Sequence, residues 1–282
     1  MVRKFGLIGK NIGASGSPAL FKAAYGGKFP YDLLDGERFA PLFEKFRKEY
    51  CAVNVTAPFK KDAFDAADVK SEAAQLCSSA NMLIKMPDGR ILADNSDFEG
   101  VTLSILSAYA VSGVDVEDED GFDDFLSGRT ALIAGCGGAG CAAAAAAVTM
   151  GYGRTVLMNR DITKALTLKQ HLCSFYGDVT EDEMEVVPIE KFTEAFKEAD
   201  TVIYTIPEAV CDCQTLPSDK KKLVFEANYK TPCLGSGKPE CNYIGGLNWL
   251  YNQAVVSYEA FTGMEPDEEA MKQQLNSLPL CH

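Results

Sequence analysis

Thr130-Ala131-Leu132-Ile133-Ala134-Gly135-Cys136-Gly137-Gly138-Ala139-Gly140 carries an apolar run straight into a Gly-x-Gly-x-x-Gly loop, and an alanine run at 142–147 follows. The apolar run reads as a strand and the alanine run as a tightly packed helix. Glycines at 135, 137 and 140 permit the tight turn, the approach of backbone to a pyrophosphate and close packing of helix on strand. A strand, this loop and a helix in succession predict dinucleotide binding by Gly135, Gly137, Gly138, Ala139 and Gly140.

Toward the C-terminus, short apolar runs at 155–158, 185–187, 201–204 and 223–226 alternate with helical segments. That alternation predicts an α/β domain with a doubly wound, Rossmann-type parallel sheet. The residues after the second strand of such a fold select the cofactor, and enzymes using NAD place Asp or Glu there to hold the ribose hydroxyls. Here Asn159 is neutral, Arg160 offers a guanidinium and Lys164 adds a second cation one turn on, a set suited to a 2′-phosphate. NADP is the expected cofactor, and the carboxylate of Asp161, repulsive to phosphate, keeps NAD possible.

Toward the N-terminus the first hundred residues form a second α/β region. Strands are expected at 5–9, 31–34 and 52–56, and helices at 18–25, 39–50 and 61–77. Phe39, Leu42, Phe43 and Phe46 share one face of the second helix. Pro87-Asp88-Gly89 between 82–85 and 90–93 is a hairpin signature. A helix is expected at 99–110. The acidic stretch 115–125 reads as a solvated loop or insertion at a domain junction. The tail 247–276 is mostly helix-like and opens after Gly245-Gly246.

The chain's 282 residues suffice for two domains, and a hydrophobic content of 47% fills their cores. A formal net charge of −13 repels nucleic acid and anionic membranes, so neither is an expected partner. No stretch approaches the ~18 consecutive apolar residues of a membrane span, and Arg3-Lys4 is not followed by the apolar run of a signal peptide. The 10 cysteines show no Cys-x-x-Cys pair or zinc spacing and read as reduced thiols of a cytoplasmic protein, Cys211-x-Cys213 being a weak metal or redox hint. The two histidines, His171 and His282, lie apart from every motif, and no metal site is expected.

Several polar residues stand beside predicted strand ends. Ser15 and Ser17 sit ahead of Pro18, where Ser17 suits a helix N-cap; two hydroxyls at a helix N-terminus also suit a carboxylate. Asn54, Thr56, Lys60, Asn81, Asp97 and Gln253 supply the dense donors and acceptors that a polyhydroxylated ligand requires. An ammonium at Lys60 beside a carboxylate at Asp97 forms a proton-handling dyad. Such a dyad ahead of a dinucleotide loop suggests proton transfer coupled to hydride transfer.

Taken in order, these pieces resemble the shikimate dehydrogenase family, including its quinate/shikimate relatives. The resemblance runs over nearly the whole chain: Gly6-Leu7-Ile8-Gly9 with Ser15-Gly16-Ser17-Pro18; Asn54-Val55-Thr56-Ala57-Pro58-Phe59-Lys60, the most specific piece; Ala80-Asn81; Asp94-Asn95-Ser96-Asp97; the glycine loop; Asn159-Arg160; Tyr229; and Gly245-Gly246 through Gln253. It implies Lys60 and Asp97 as the catalytic pair and Ser15 and Ser17 on the substrate carboxylate. It implies Asn54, Thr56, Asn81 and Gln253 on the substrate or catalytic groups, Tyr229 near nicotinamide and substrate, and Gly246 at the cofactor. The implied reaction is the NADP-dependent, reversible reduction of 3-dehydroshikimate to shikimate in aromatic amino acid biosynthesis. The alternative is a quinate/shikimate dehydrogenase of dual or NAD preference. The implied organisation is a substrate-binding catalytic domain at 1–103 with 240–282 packing back on it, an NADP-binding domain at 104–239, and a monomer or homodimer. The chain departs from the family pattern at Ala14 for histidine, Ser96 for threonine, Leu247 for methionine, and a proline shifted by one after Tyr229.

Overall fold

A computed structural model of the chain describes residues 3–177, 183–217, 219–234 and 241–277. It divides into two units, one running from the N-terminus to Gly100 and resuming at Leu250, the other from Val101 to Trp249. The chain passes from one to the other inside two helices, α5 (Ser96–Val111) and α10 (Gly246–Thr262).

The first unit is built on β1 (Phe5–Gly9), α1 (Ser17–Ala24), β2 (Tyr31–Asp35), α2 (Phe39–Glu49), β3 (Ala52–Val55), α3 (Lys60–Ala66), β4 (Val69–Lys70), α4 (Glu72–Cys77), β5 (Met82–Lys85) and β6 (Ile91–Asp94). α11 (Glu268–Asn276) follows α10 at the far end of the chain. The sheet order is β2-β1-β3-β5-β6-β4. β1, β2 and β3 are parallel, the helices between them supplying the crossovers that parallel pairing requires, whereas β5 runs antiparallel to both β3 and β6. One core holds Ile8, Leu34, Phe46, Val53, Val55, Phe59 and Leu83, with Phe39, Leu42 and Phe43 of α2 packed against it. Elsewhere in the unit, Phe5, Phe21 and Tyr258 form an aromatic cluster, Phe21 lying 5.4 Å from Phe5 and 4.7 Å from Tyr258.

The single helix expected over 61–77 is broken in two. Val69 and Lys70 pair with Leu92 and Ala93, and the Ser71 hydroxyl caps α4 by accepting the Ala74 N–H. A two-residue strand recruited by its neighbour thus overrides a continuous helical pattern. Ser17 is also not an N-cap: α1 begins at Ser17 itself after Gly16, without a side-chain cap bond.

The second unit contains α6 (Glu119–Ser127), β7 (Thr130–Ala134), α7 (Gly138–Thr149), β8 (Arg154–Met158), α8 (Ile162–Tyr176), β9 (Met184–Val186), α9 (Phe192–Glu198), β10 (Thr201–Tyr204), β11 (Leu223–Glu226) and β12 (Asn242–Gly245). Its sheet order is β12-β11-β10-β7-β8-β9, every pair parallel, which is the doubly wound arrangement with its switch point between β7 and β10. β12 pairs with β11, so this unit runs past the boundary expected at 239. The alanines of α7 from 142 to 147 are fully buried, their small side chains letting the helix lie close to the sheet. The acidic stretch is a loop only as far as 118: Asp118 caps α6 through the Gly121 N–H, and Phe122 and Leu126, one turn apart, are buried. Asp118 stands at the cap and Glu119 and Asp120 in the first turn, where the helix dipole favours negative charge. Among the described residues no helix is long and apolar enough to cross a membrane.

A Cβ added at Gly153 would lie 1.8 Å from the Ser127 carbonyl oxygen, so backbone passes against backbone just before β8. Gly153→Ala is expected to lower the unfolding free energy by about 1–3 kcal/mol, the usual cost of overpacking. Urea denaturation checks it, and a midpoint equal to the parent's would show that the two segments can part without loss.

Candidate active site

The topology of the first unit brings its polar residues to one sheet edge. β1 and β3 are parallel, so the segments leaving their C-terminal ends, with Ser15 and Thr56 on the loops and Ser17 and Lys60 opening α1 and α3, emerge on the same side. β5 is antiparallel to β3, which places Asn81, just before β5, at that edge too; its carbonyl accepts the Val55 N–H at 2.7 Å. β6 ends there in Asp94, followed by Asp97 in the first turn of α5.

Lys60 Nζ donates to Asp97 Oδ2 at 2.5 Å, and the two side chains are only 17% and 11% exposed. Lysine is ordinarily solvated, so an ion pair this far out of water needs support from its surroundings. That support is local. The Asp97 N–H donates to Asn95 Oδ1 (3.1 Å), and Asn95 Nδ2 donates to the carbonyl and hydroxyl of Ser79 (2.9 and 3.2 Å). The Ser96 N–H donates to Asn81 Oδ1 (2.8 Å), and Asn81 Nδ2 donates to Ser96 Oγ (3.0 Å). The first turn of α5 is therefore clamped by two buried asparagines. Ser96 keeps the hydroxyl that a threonine would supply, and uses it. Its Oγ also donates to Gln253 Oε1 at 3.4 Å, and a Cβ at Gly100 would meet Gln253 Cβ at 2.8 Å. The missing side chain at 100 is what lets Gln253 approach.

Ser15 donates its hydroxyl to Ser17 Oγ (3.1 Å) and accepts the Ser17 N–H (3.3 Å), while the Tyr258 hydroxyl donates to the Ser17 carbonyl (3.1 Å). Two hydroxyls thus stand together at the start of α1. Asn54 is buried in β3; its Oδ1 accepts the Tyr31 hydroxyl at 2.8 Å and its Nδ2 has no partner among the described residues. Burial holds the Tyr31 hydroxyl well above its ordinary pKa, so it stays a donor. Thr56 bonds its N–H to the Ile8 carbonyl, tying β3's end to β1.

In the second unit the glycine loop sits between β7 and α7. Gly135 has φ +103°, and a Cβ there would lie 2.4 Å from Thr205 Oγ1. A Cβ at Gly140 would lie 1.8 Å from the Gly135 carbonyl oxygen. Gly137 is exposed, with nothing within 4 Å of its Cβ position. That open cradle, at the N-terminus of α7 where Gly138 and Ala139 begin the helix, fits a dinucleotide pyrophosphate. Cys136 inside the loop is buried, and burial pushes its thiol up to about 12.

Asn159, expected at the cofactor, fastens the loop: its Oδ1 accepts the Cys136 N–H (3.1 Å) and its Nδ2 donates to the Asp161 carbonyl (2.9 Å). Asp161 caps α8 through the Thr163 N–H (3.1 Å) and hydroxyl (2.5 Å), bonds that hold its carboxyl below the usual range. Arg160 is exposed and paired with Glu208; Lys164 lies exposed in the first turn of α8. His171 lies further along α8 beside Phe175.

Tyr229 is half-buried on the loop after β11, and burial raises its hydroxyl pKa. A residue not anticipated from sequence holds that loop. Glu226, fully buried, accepts the N–H groups of Cys233 and Leu234 and the Tyr243 hydroxyl. A Cβ at Gly246 would lie 2.1 Å from the Ala227 carbonyl, so the start of α10 rests on the same loop. Among the described residues no group of three or more His, Cys, Asp or Glu is disposed to hold a metal.

Residues 7–83 match the shikimate dehydrogenase substrate binding domain, and residues 246–275 match the shikimate 5′-dehydrogenase C-terminal domain. The chain is 30% identical to the shikimate dehydrogenase (NADP(+)) of Bartonella tribocorum, over 92% of this chain and 88% of that one. A shikimate 5-dehydrogenase from Mycobacterium fortuitum superposes with a TM-score of 0.75 at 29% identity, covering 97% and 98% of the two chains. The quinate dehydrogenase of Corynebacterium glutamicum, solved with NAD, superposes with a TM-score of 0.81 at 22% identity over 98% of this chain and 99% of that one, a likeness of fold.

Glu226→Gln replaces an acceptor facing three donors by a group with donors of its own. It is expected to cost about 1–3 kcal/mol of stability, read by chemical denaturation. An unchanged midpoint would show that the loop stands without the carboxylate.

Proposed function

The chain belongs to the shikimate dehydrogenase family, and on that premise we propose how its residues carry the family's reaction. The chain catalyses the reversible, NADP-dependent reduction of 3-dehydroshikimate to shikimate, a step of aromatic amino acid biosynthesis. NADPH supplies the hydride when bound. The observation that carries the residue assignment is the 2.5 Å contact between Lys60 and Asp97, largely out of water.

As the carbonyl carbon becomes tetrahedral, its oxygen gathers negative charge. Lys60 donates a proton to that oxygen, and in the reverse direction takes it back. Asp97 holds the ammonium in place and accepts from a ring hydroxyl. Asn81 and Gln253, joined through Ser96, line the ring hydroxyls, with Asn54 and Thr56 on the neighbouring strand end. Ser15 and Ser17 bind the substrate carboxylate with paired hydroxyls at the start of α1. The unit built on β1 to β6 is the substrate-binding catalytic domain and the one built on β7 to β12 the NADP-binding domain. There the glycine loop cradles the pyrophosphate, Arg160 and Lys164 take the 2′-phosphate, Tyr229 lies by the nicotinamide and Gly246 borders that site. The protein works in the cytoplasm as a monomer or homodimer, a state that size-exclusion chromatography with light scattering determines.

Lys60→Ala is expected to cut kcat by about 10²–10⁴-fold, the usual worth of general acid–base assistance, with a much smaller change in KM. Near-parental turnover with shikimate and NADP would remove Lys60 from the chemical step. Ser17→Ala deletes one hydrogen bond to a charged group, worth about 1.5–3 kcal/mol, and should raise KM for shikimate about 10- to 100-fold. A KM that does not move would place the carboxylate elsewhere.

A further inference from the structure

Arg160 is the residue assigned above to the 2′-phosphate, yet its guanidinium already has a partner. Arg160 Nη1 donates to Glu208 Oε2 at 2.7 Å. The acid adjacent in sequence, Asp161, is occupied in capping α8. The one on Arg160 comes instead from the loop after β10.

That loop is anchored. The Tyr204 hydroxyl, whose residue is fully buried, donates to the Glu208 carbonyl at 2.5 Å. Asn228 Nδ2 and the Cys233 thiol donate to the Pro207 carbonyl at 3.4 and 3.6 Å. The peptide bearing Glu208 is thus held at two consecutive carbonyls, and its side chain reaches Arg160 from a fixed base.

We propose that Glu208 tunes cofactor discrimination in this chain: it competes with the 2′-phosphate for the Arg160 guanidinium, and so holds the preference for NADP over NAD below what Arg160 alone would give. The proposal rests on the cofactor reading of the second unit. A phosphomonoester carries a charge of about −1.5 to −2 near neutral pH, and on Arg160 it would lie within a few ångströms of a carboxylate. The 2′-hydroxyl of NAD brings no charge and meets no such opposition. Both side chains are well exposed, at 62% and 69%, so water and salt screen the effect. An effect of about 3- to 10-fold at low salt is the scale expected of exposed charges a few ångströms apart.

The test uses the full chain, with adenosine 2′,5′-bisphosphate and AMP as probes in calorimetry at low and high salt. Glu208→Gln is expected to bind the bisphosphate about 3- to 10-fold more tightly than the parent, the gain shrinking in about 0.5 M salt as screening requires, while AMP affinity stays within about 2-fold. A purely structural role for Glu208 would move both ligands together and would not respond to salt. Parallel changes, or no change, overturn the proposal. Arg160→Ala tests the premise separately, and should weaken the bisphosphate without weakening AMP. If it weakens neither, or if the parent binds neither probe, the cofactor reading falls and takes the proposal with it.

Discussion

Lys60 and Asp97 are joined by an ion pair largely out of water, and taking two charges out of water is costly unless their geometry is held by other bonds. Much of the first unit's polar interior can be understood as that support. Asn95 and Asn81 satisfy the N–H groups of Asp97 and Ser96, which sit in the opening turn of α5 and lack intrahelical partners. Asp94, the last residue of β6, accepts the Asn95 N–H and the Ser71 hydroxyl, so the short strand and helix that interrupt 61–77 are tied to the same turn. What looks like irregularity in the chain between Lys60 and Asn81 is the scaffold that lets an amine meet a carboxylate.

The second unit solves a different problem, keeping a backbone exposed for a ligand without letting it collapse. Gly135 and Gly140 are excluded from carrying side chains by contacts under 2.5 Å, whereas Gly137 faces open space. The loop is also braced from the side by Asn159. The doubly wound order leaves this loop and the loop after β10 flanking the switch point, which is how Thr205 comes to touch Gly135.

Much of this was legible in the sequence because it depended on local chemistry. The glycine loop, the apolar face of α2 and the Pro87-Asp88-Gly89 hairpin each show in a few consecutive residues. The pairing of Lys60 with Asp97 was suggested by residue type, and its contact depends on long-range strand order. What stayed hidden depended on partners far along the chain. Glu226 reads as the last residue of a strand, and only the fold shows three donors converging on it. Glu208 meets Arg160 across 48 positions, so no window of sequence contains both. The helix at 119–127 was obscured by its acidity, although the spacing of Phe122 and Leu126 was present to be weighed.

Cys136 occupies the middle of the glycine loop, where a thiolate would repel a bound diphosphate. Burial keeps it protonated throughout the physiological range, so the loop presents a neutral surface to an anionic guest. Electrophilic probes, which react with thiolates and not thiols, will therefore find no target there. Covalent labelling aimed at the glycine loop will miss Cys136.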